Sequence, residues 1–467
     1  MAIEAAVETP IEMRTASTWS DDLAATVHER RAHGKEARER APRRCLALWD
    51  EDTRGHDALE TVLAQNRSRL ADVVPLRHQR MARSSWNYYR GAAAVMAADL
   101  ASRPDSGLEV QLCGDAHVLN FGLWATPERN LNFDLRDFDE TLPGPFEWDV
   151  VRLAASLVVA ARQNGLKRSR ADAAVRAAVD AYRLHMRRYV VSFELDTWYE
   201  GTRVDRFVDF FELADRDQVQ VFIEHHKGNW SSQGAFPKLT AVKHGVHRIT
   251  TKPPIRVRLS DDDKRDLADG LFASYRESLQ EHRRTLFDRF TEVDAVRQVV
   301  GVGSVGMMVY LVLFKGRAGA PLFLQFKQAG PSVYEAHLRP SAHHNHGERV
   351  IAGRRMVQTA TDIFVGWGSL GERDFYVRQY RDMKLIPTTD LIAPRLIRFA
   401  TACGATLARS HARSGDPVAL DAYMGKGEVF TDAMASFARR YADQNERDHA
   451  QLVAAIERGV VPSAPES

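Results

Sequence analysis

The strongest constraint on how this chain can fold is a block of three β-favouring runs set in a sequence that otherwise reads as helical. The runs are Val296–Gly303, Met307–Phe314 and Pro321–Lys327, separated by glycine turns, and they form an antiparallel meander by pattern. Phe375–Tyr380 reads as a further strand. Upstream, residues 1 to about 75 are helical and polar in pattern, Ser85–Leu100 is an Ala-rich helix candidate, and Gly107–Phe121 is a short strand running into a polar loop. Leu131–Phe138 alternates apolar and polar residues, and beyond a turn at Pro143, Gly144 and Pro145 an apolar helix covers Trp148–Arg162. Residues 170–290 read as largely helical (Ala171–Tyr189, Asp261–Phe290) around an irregular segment, Lys227–Pro254. Helices return at Pro394–His411 and Phe430–Ile456, so the class is α+β.

Composition narrows the function. With 467 residues, 44% hydrophobic and 27% charged, the chain is neither disordered nor fibrous and is long enough for a two-lobed enzyme. A net charge of +2 argues against a nucleic-acid partner. The basic stretch His28–Arg44 is interrupted by Glu29, Glu36 and Glu39 and reads as a solvated helix face. Cys45, Cys113 and Cys403 stand far apart, which excludes a disulfide framework and favours a reducing, cytoplasmic setting. The acidic start MAIEAAVETPIEM lacks the flank of a signal peptide, and the apolar stretch Val150–Ala161 contains Arg152 and is too short to span a bilayer. No membrane partner is expected.

Two constellations carry chemistry. In the first, Asp115 and Asn120 share the loop Gly114-Asp115-Ala116-His117-Val118-Leu119-Asn120, and a strand ends at Arg136-Asp137-Phe138-Asp139. Phosphoryl transfer needs a carboxylate to orient the attacking hydroxyl and hard oxygen ligands to hold magnesium, and these residues provide that set. An Asx turn and a helix cap would also account for Asp115 and Asn120 taken alone. In the second, Gly301-Val302-Gly303-Ser304-Val305-Gly306 satisfies G-x-G-x-x-G, followed by β-favouring residues rather than the helix of a dinucleotide site. Lys327 ends the next apolar strand and needs an anionic partner if it points inward.

The run GDAHVLN resembles the catalytic loop of the aminoglycoside-phosphotransferase and choline-kinase branch of the protein-kinase-like fold, and DLRDFDE resembles its metal-binding strand end. That resemblance implies Asp115 as catalytic base, Asn120 and Asp137 as metal ligands with Asp139 beside them, and Asp149 as a buried buttress on the catalytic loop. Gly301, Gly303, Ser304 and Gly306 would cover the phosphates of ATP, and Lys327 would clamp them. Glu335 is preferred as the partner of Lys327, with Glu348 the alternative, and Arg381–Lys384 would be the hinge against which adenine stacks. Cys113 stands where that branch usually carries His. The tract His343-His344-Asn345-His346 reads as a polar loop rather than a zinc site.

In kinases the glycine loop precedes the catalytic loop, whereas here it follows by almost two hundred residues. The helix Leu396–His411, similar to the one that normally enters the catalytic loop, lies near the C-terminus. Circular permutation explains both displacements. The expected organisation is an N-terminal helical extension (1–75), a catalytic-loop and helical lobe (76–292), a glycine-loop β lobe with hinge (293–388), and C-terminal helices completing the large lobe (389–467). CGDAHVLNFG, FDLRDFDETLPGPFEWDV, VVGVGSVG, DFYVRQYRDMK and LARSHARSGD also resemble a bacterial family of uncharacterised proteins, domain of unknown function twenty-two fifty-two. The expected activity is ATP- and magnesium-dependent transfer to a small-molecule hydroxyl or amine, phosphoryl and nucleotidyl transfer both being open. A non-catalytic nucleotide-binding pseudokinase and a metal-dependent phosphoesterase are the alternatives.

Overall fold

The computed structural model describes residues 25–227, 231–380, 383–385 and 387–464. The acidic start of the chain, and Arg381 and Asp382 of the expected hinge, lie outside the described residues.

Helix α1 (Ser85–Gly91) ends one residue before a second helix, Ala93–Ala101, so the expected single helix is broken at Ala92. Gly91 accounts for the break: a Cβ there would meet Met81 at 2.7 Å, and its carbonyl accepts from buried Arg77 at 3.1 Å. Strand β1 (Glu109–Leu112) then leads through the loop at 113–120 into β2 (Phe121–Ala125), β3 (Leu131–Leu135) and β4 (Leu142–Pro145). β1 pairs antiparallel with β4, and β2 with β3. Helix α2 (Phe146–Gln163) is buried over most of its length, as its near-continuous apolar sequence requires. It packs with α3 (Arg168–Tyr189) and two helices from the C-terminal region described below.

The β-rich block forms a six-stranded antiparallel sheet from β5 (Arg256–Arg258), β6 (Thr291–Gln298), β7 (Val309–Lys315), β8 (Pro321–Ala329), β9 (Gly366–Leu370) and β10 (Arg373–Gln379). Its strand order is β9-β10-β8-β7-β6-β5. Helix α4 (His346–Val357) connects β8 to β9 and packs on β10.

Strand alternation sorts the sheet's side chains between two cores. Tyr310, Val312, Phe314, Leu324 and Phe326 meet Leu267, Leu271, Phe272 and Tyr275 on one face, while Leu311, Leu313 and Phe323 meet Ala235, Leu239 and Ile249 on the other. Residues 235–287 therefore supply the covering of the sheet. The boundary expected at 292 is corrected: much of the segment assigned to the helical lobe is buried against the β-rich one, because each apolar face needs a layer over it. The helical run expected at Asp261–Phe290 is likewise interrupted, with a π-helical stretch at Leu267–Phe272 and a break between Ser278 and Glu281.

The C-terminal region contributes α5 (Leu396–Ala412) and α6 (Val429–Glu457). The stretch Thr389–Ala412 has the length and apolarity of a membrane-crossing helix, yet 67% of its most apolar window is buried within the fold, against α3 and α2. At the α3–α5 crossing a Cβ on Gly404 would stand 1.9 Å from the carbonyl oxygen of Ala178. Since backbone cannot yield as a side-chain tip does, Gly404→Ala should lower unfolding free energy by about 1–3 kcal/mol, read as a fall in the denaturant midpoint.

Candidate functional site

The loop after β1 is fixed from beneath. Asp149, in the first turn of α2, accepts the Cys113 amide at 2.6 Å and the Gly114 amide at 3.1 Å. His411 of α5 lies 3.3 Å from the same carboxylate, and its other ring nitrogen is 2.8 Å from the Tyr182 hydroxyl. Gly114 has φ +90°, and a Cβ there would sit 2.3 Å from the Glu140 carbonyl oxygen, so glycine is required where the chain passes the acidic strand end.

Asp115 follows, its side chain 23% exposed on the cleft. Arg152 donates from Nε to Asp115 Oδ1 at 2.8 Å; its guanidinium lies 3.9 Å over the Tyr89 ring and donates to the Tyr89 carbonyl. Burial pushes the Asp115 carboxyl above its ordinary range, and Arg152 only partly opposes this. His117 packs edge-on against Trp86 and is held well below the usual imidazole range, by burial first and then by Arg90 and Arg152. Asn120 is 1% exposed and fastens the loop to the acidic strand end. Its Oδ1 accepts the Asp137 amide at 2.8 Å, while Nδ2 donates to the Asp115 carbonyl at 2.8 Å and the Asp137 carbonyl at 3.0 Å. Asn120 thus acts first as a staple, with one lone pair of Oδ1 already engaged.

The sheet supplies the opposite wall. Register places Lys327 opposite Tyr376 and Gln325 opposite Arg378, so these four side chains share one face. Lys327, 1% exposed, forms an ion pair with Asp139, and its Nζ lies 3.9 Å from Asp137 Oδ1. The Tyr376 hydroxyl donates to the other Asp139 oxygen at 2.8 Å. Burial alone would raise the Asp137 carboxyl, but Lys327, Arg378 and Arg136 outweigh it and hold the group well below the usual carboxylate range. Burial likewise opposes the charge on Lys327, and Asp137 and Asp139 outweigh it, raising the ammonium well above its ordinary value. Asp137 Oδ1 is buried with no hydrogen-bond partner among the described residues.

The glutamate expected beside Lys327 is corrected. Glu335 accepts the amides of Ser332 at 2.8 Å and Ser341 at 3.1 Å, closing a capping box on the short helix that Ser332 begins. Glu348 faces His343 at 3.6 Å. The neighbouring residue on α4, Arg349, turns inward and donates to the carbonyls of Asp139, Thr141 and Gly330. One helix position separates a surface carboxylate from a buried guanidinium, and the carboxylate that pairs with Lys327 is Asp139.

Gly301, Gly303, Ser304 and Gly306 lie in the turn between β6 and β7, with φ +65° at Gly301 and +90° at Gly306. Val302 and Val305 anchor the turn in cores shared with residues 58–95. Arg69 donates to the carbonyls of Gly303 and Val305, Arg80 to that of Gly301, and the Leu70 amide to that of Gly306. The Ser304 hydroxyl is 3.5 Å from Asp139 Oδ2. Loop and acidic residues enclose a cavity of about 580 Å³ lined by Asp115, Asp137, Asp139, Arg90, Arg136 and Gly303. Burial lowers both guanidinium groups from their ordinary value, Arg136 to about 10, and Arg90 Nε has no hydrogen-bond partner among the described residues. Of the expected hinge, Lys384 lies between the rings of Trp124 and Tyr380, each under 6 Å from its Nζ.

Sequence reading missed Arg152, Tyr376, Arg349, Arg69 and His411 as parts of this site. Only Arg152 carried a signal: a charge inside an apolar helix must find a partner when that helix is buried.

The chain belongs to the family described as an uncharacterized protein conserved in bacteria (DUF2252), whose model matches residues 69–455. No curated protein and no solved structure matches it.

Proposed function

We propose that this chain is a phosphotransferase that uses ATP and magnesium to phosphorylate a small-molecule hydroxyl or amine, on a circularly permuted protein-kinase-like fold. The observation that carries the reading is the convergence of Lys327, Asp137 and Asp139 at the cleft that Asp115 also lines, from segments almost two hundred residues apart. Counting from β6, the glycine loop joins the first two strands, the lysine lies on the third, and a helix follows, which is the kinase sequence of parts. Permutation is supported by the end of α5: the Ser414 hydroxyl accepts the Gln111 amide at 2.9 Å, beside the strand that enters the acidic loop.

The donor set suits a hard cation. Asp137 Oδ1 is a buried acceptor without a hydrogen-bond partner among the described residues, so Asp137 would hold the ion, with Asp139 beside it and Asn120 fixing both loop and strand. Magnesium on a nucleotide neutralises charge developing on the transferred group. In this reading Lys327 binds phosphate oxygens, Arg90 and Arg136 add positive charge to the cavity, and Asp115 orients the acceptor and takes its proton.

Two observations favour the non-catalytic reading as runner-up. Asp139 already neutralises Lys327, and Asn120 is occupied in fastening the loop, as in a site built to bind rather than turn over. Thermal unfolding with ATP and magnesium tests both readings. At a hundredfold excess over Kd, binding should add about 2.7 kcal/mol to the unfolding free energy and raise Tm. No shift with either ATP or ATP and magnesium would remove both nucleotide readings; a shift without consumption of ATP across a panel of acceptors would favour the second.

A further inference from the structure

We infer a second ligand site, outside the cleft, that takes a small molecule carrying two or more phosphoryl groups. It is a cavity of about 590 Å³ between β3, the segment around Trp198 and the turn that follows α4, a volume in the range of small-molecule sites. Arg203, Arg283, Arg355 and Arg413 line it, and Glu128 is the one carboxylate among its described lining residues. That carboxylate is engaged by the Thr126 side chain. Arg203 has Asp205 at 3.4 Å; the other three guanidinium groups have no carboxylate partner among the described residues.

Arg413 is buried, lies 4.0 Å over the Trp198 ring and donates to the Gln358 carbonyl at 2.6 Å, leaving Nε without a hydrogen-bond partner among the described residues. Arg283 Nε is also buried without a hydrogen-bond partner among the described residues. Burial first, and then the charge on Arg283, lower Arg355, whose guanidinium lies 5.8 Å from the centre of the Trp367 ring and reaches the Val365 carbonyl only at 3.5 Å. Like charges gathered round one void, with donors left unmade, cost free energy that an anion in the void would offset. Planar forked donors match phosphate oxygens, and the face of Tyr199 (74% exposed), with the side of Trp198 (41% exposed) that Arg413 does not cover, offers a platform for a ring attached to them.

The site is wired to the acidic strand end. Gln358 donates to the Leu135 carbonyl, and the Thr359 amide donates to Asp134 at 2.9 Å, so the cavity wall is bonded to β3 two and three residues before Asp137.

The test titrates the full chain with inorganic pyrophosphate and, separately, with ADP, both without magnesium, following heat and tryptophan emission. Pyrophosphate is expected to bind and change the emission, and Trp198→Phe should remove most of that change. R283Q/R355Q should weaken pyrophosphate binding at least tenfold at fixed salt with Tm within a few degrees of the parent; R283Q and R355Q singly should each weaken it at least threefold, should the double variant not fold. ADP binding tenfold tighter than pyrophosphate would identify a nucleotide as occupant, and equal affinities would identify the phosphoryl groups alone. No binding by the parent, or affinity unchanged in the arginine variants but lost in Lys327→Met, would overturn the proposal, the latter by placing the anion in the cleft.

Discussion

Asp115→Asn should lower turnover by about 10²–10⁴-fold, the usual contribution of a positioned general base, while leaving the thermal shift with ATP and magnesium intact. Asparagine is the informative replacement because Arg152 is buried behind the carboxylate, donating to it at 2.8 Å. An amide oxygen keeps that acceptor, whereas alanine would strand a buried guanidinium and confuse lost chemistry with lost structure. The expected stability cost of Asp115→Asn is about 1–3 kcal/mol. A pH profile adds a second readout. Burial raises the Asp115 carboxyl, so its base form is lost on acidification at a higher pH than for an ordinary aspartate, and the acid limb of turnover should be displaced upward accordingly. Turnover by Asp115→Asn equal to the parent's would take Asp115 out of the mechanism.

What could be read from the sequence follows the range of the forces involved. Strands β7, β8 and β10 announce themselves because alternation and glycine turns are local, whereas the run expected at Val296–Gly303 overlaps β6 only at Val296–Gln298 and otherwise forms the glycine turn; the motif GDAHVLN fixes a loop whose amides need a buried acceptor, which Asp149 supplies. The covering of the sheet was not legible: Leu267, Leu271 and Tyr275 have helical spacing whichever layer they bury against. Nor was the partner of Lys327. Glu335 and Glu348 both lie at plausible distances along the chain, but a capping box at Ser332 engages the first, and helix phase turns Arg349 inward in place of the second. Asp139 prevails through the register that sets Tyr376 opposite Lys327, a pairing of strands that no local pattern encodes.

Lys327→Met should have the largest combined effect, on folding and on nucleotide binding together. The ammonium is 1% exposed and pairs with Asp139, with Asp137 3.9 Å away. Methionine preserves the length of the stem and removes the charge, leaving two carboxylates of one strand end without the ammonium that faces them. Breaking a buried pair from one side costs about 3–5 kcal/mol, which denaturant unfolding would read directly. The pH dependence separates this from a simple packing defect. Asp137 has a depressed carboxyl in the folded chain, so it contributes stability that is present above the unfolded aspartate value of roughly 4 and is lost as pH falls through the lower folded value. Lys327 has a raised value, so its contribution is present below roughly 10.4 and is lost only as pH rises through the folded value. Without the ammonium the Asp137 carboxyl moves upward under burial. The variant should therefore lose most at neutral pH, and its deficit should shrink as pH falls toward the depressed Asp137 value of the parent. A deficit equal at pH 3 and pH 7 would mean that the pair contributes packing rather than charge. Retention of the full thermal shift with ATP and magnesium would remove Lys327 as the phosphate clamp.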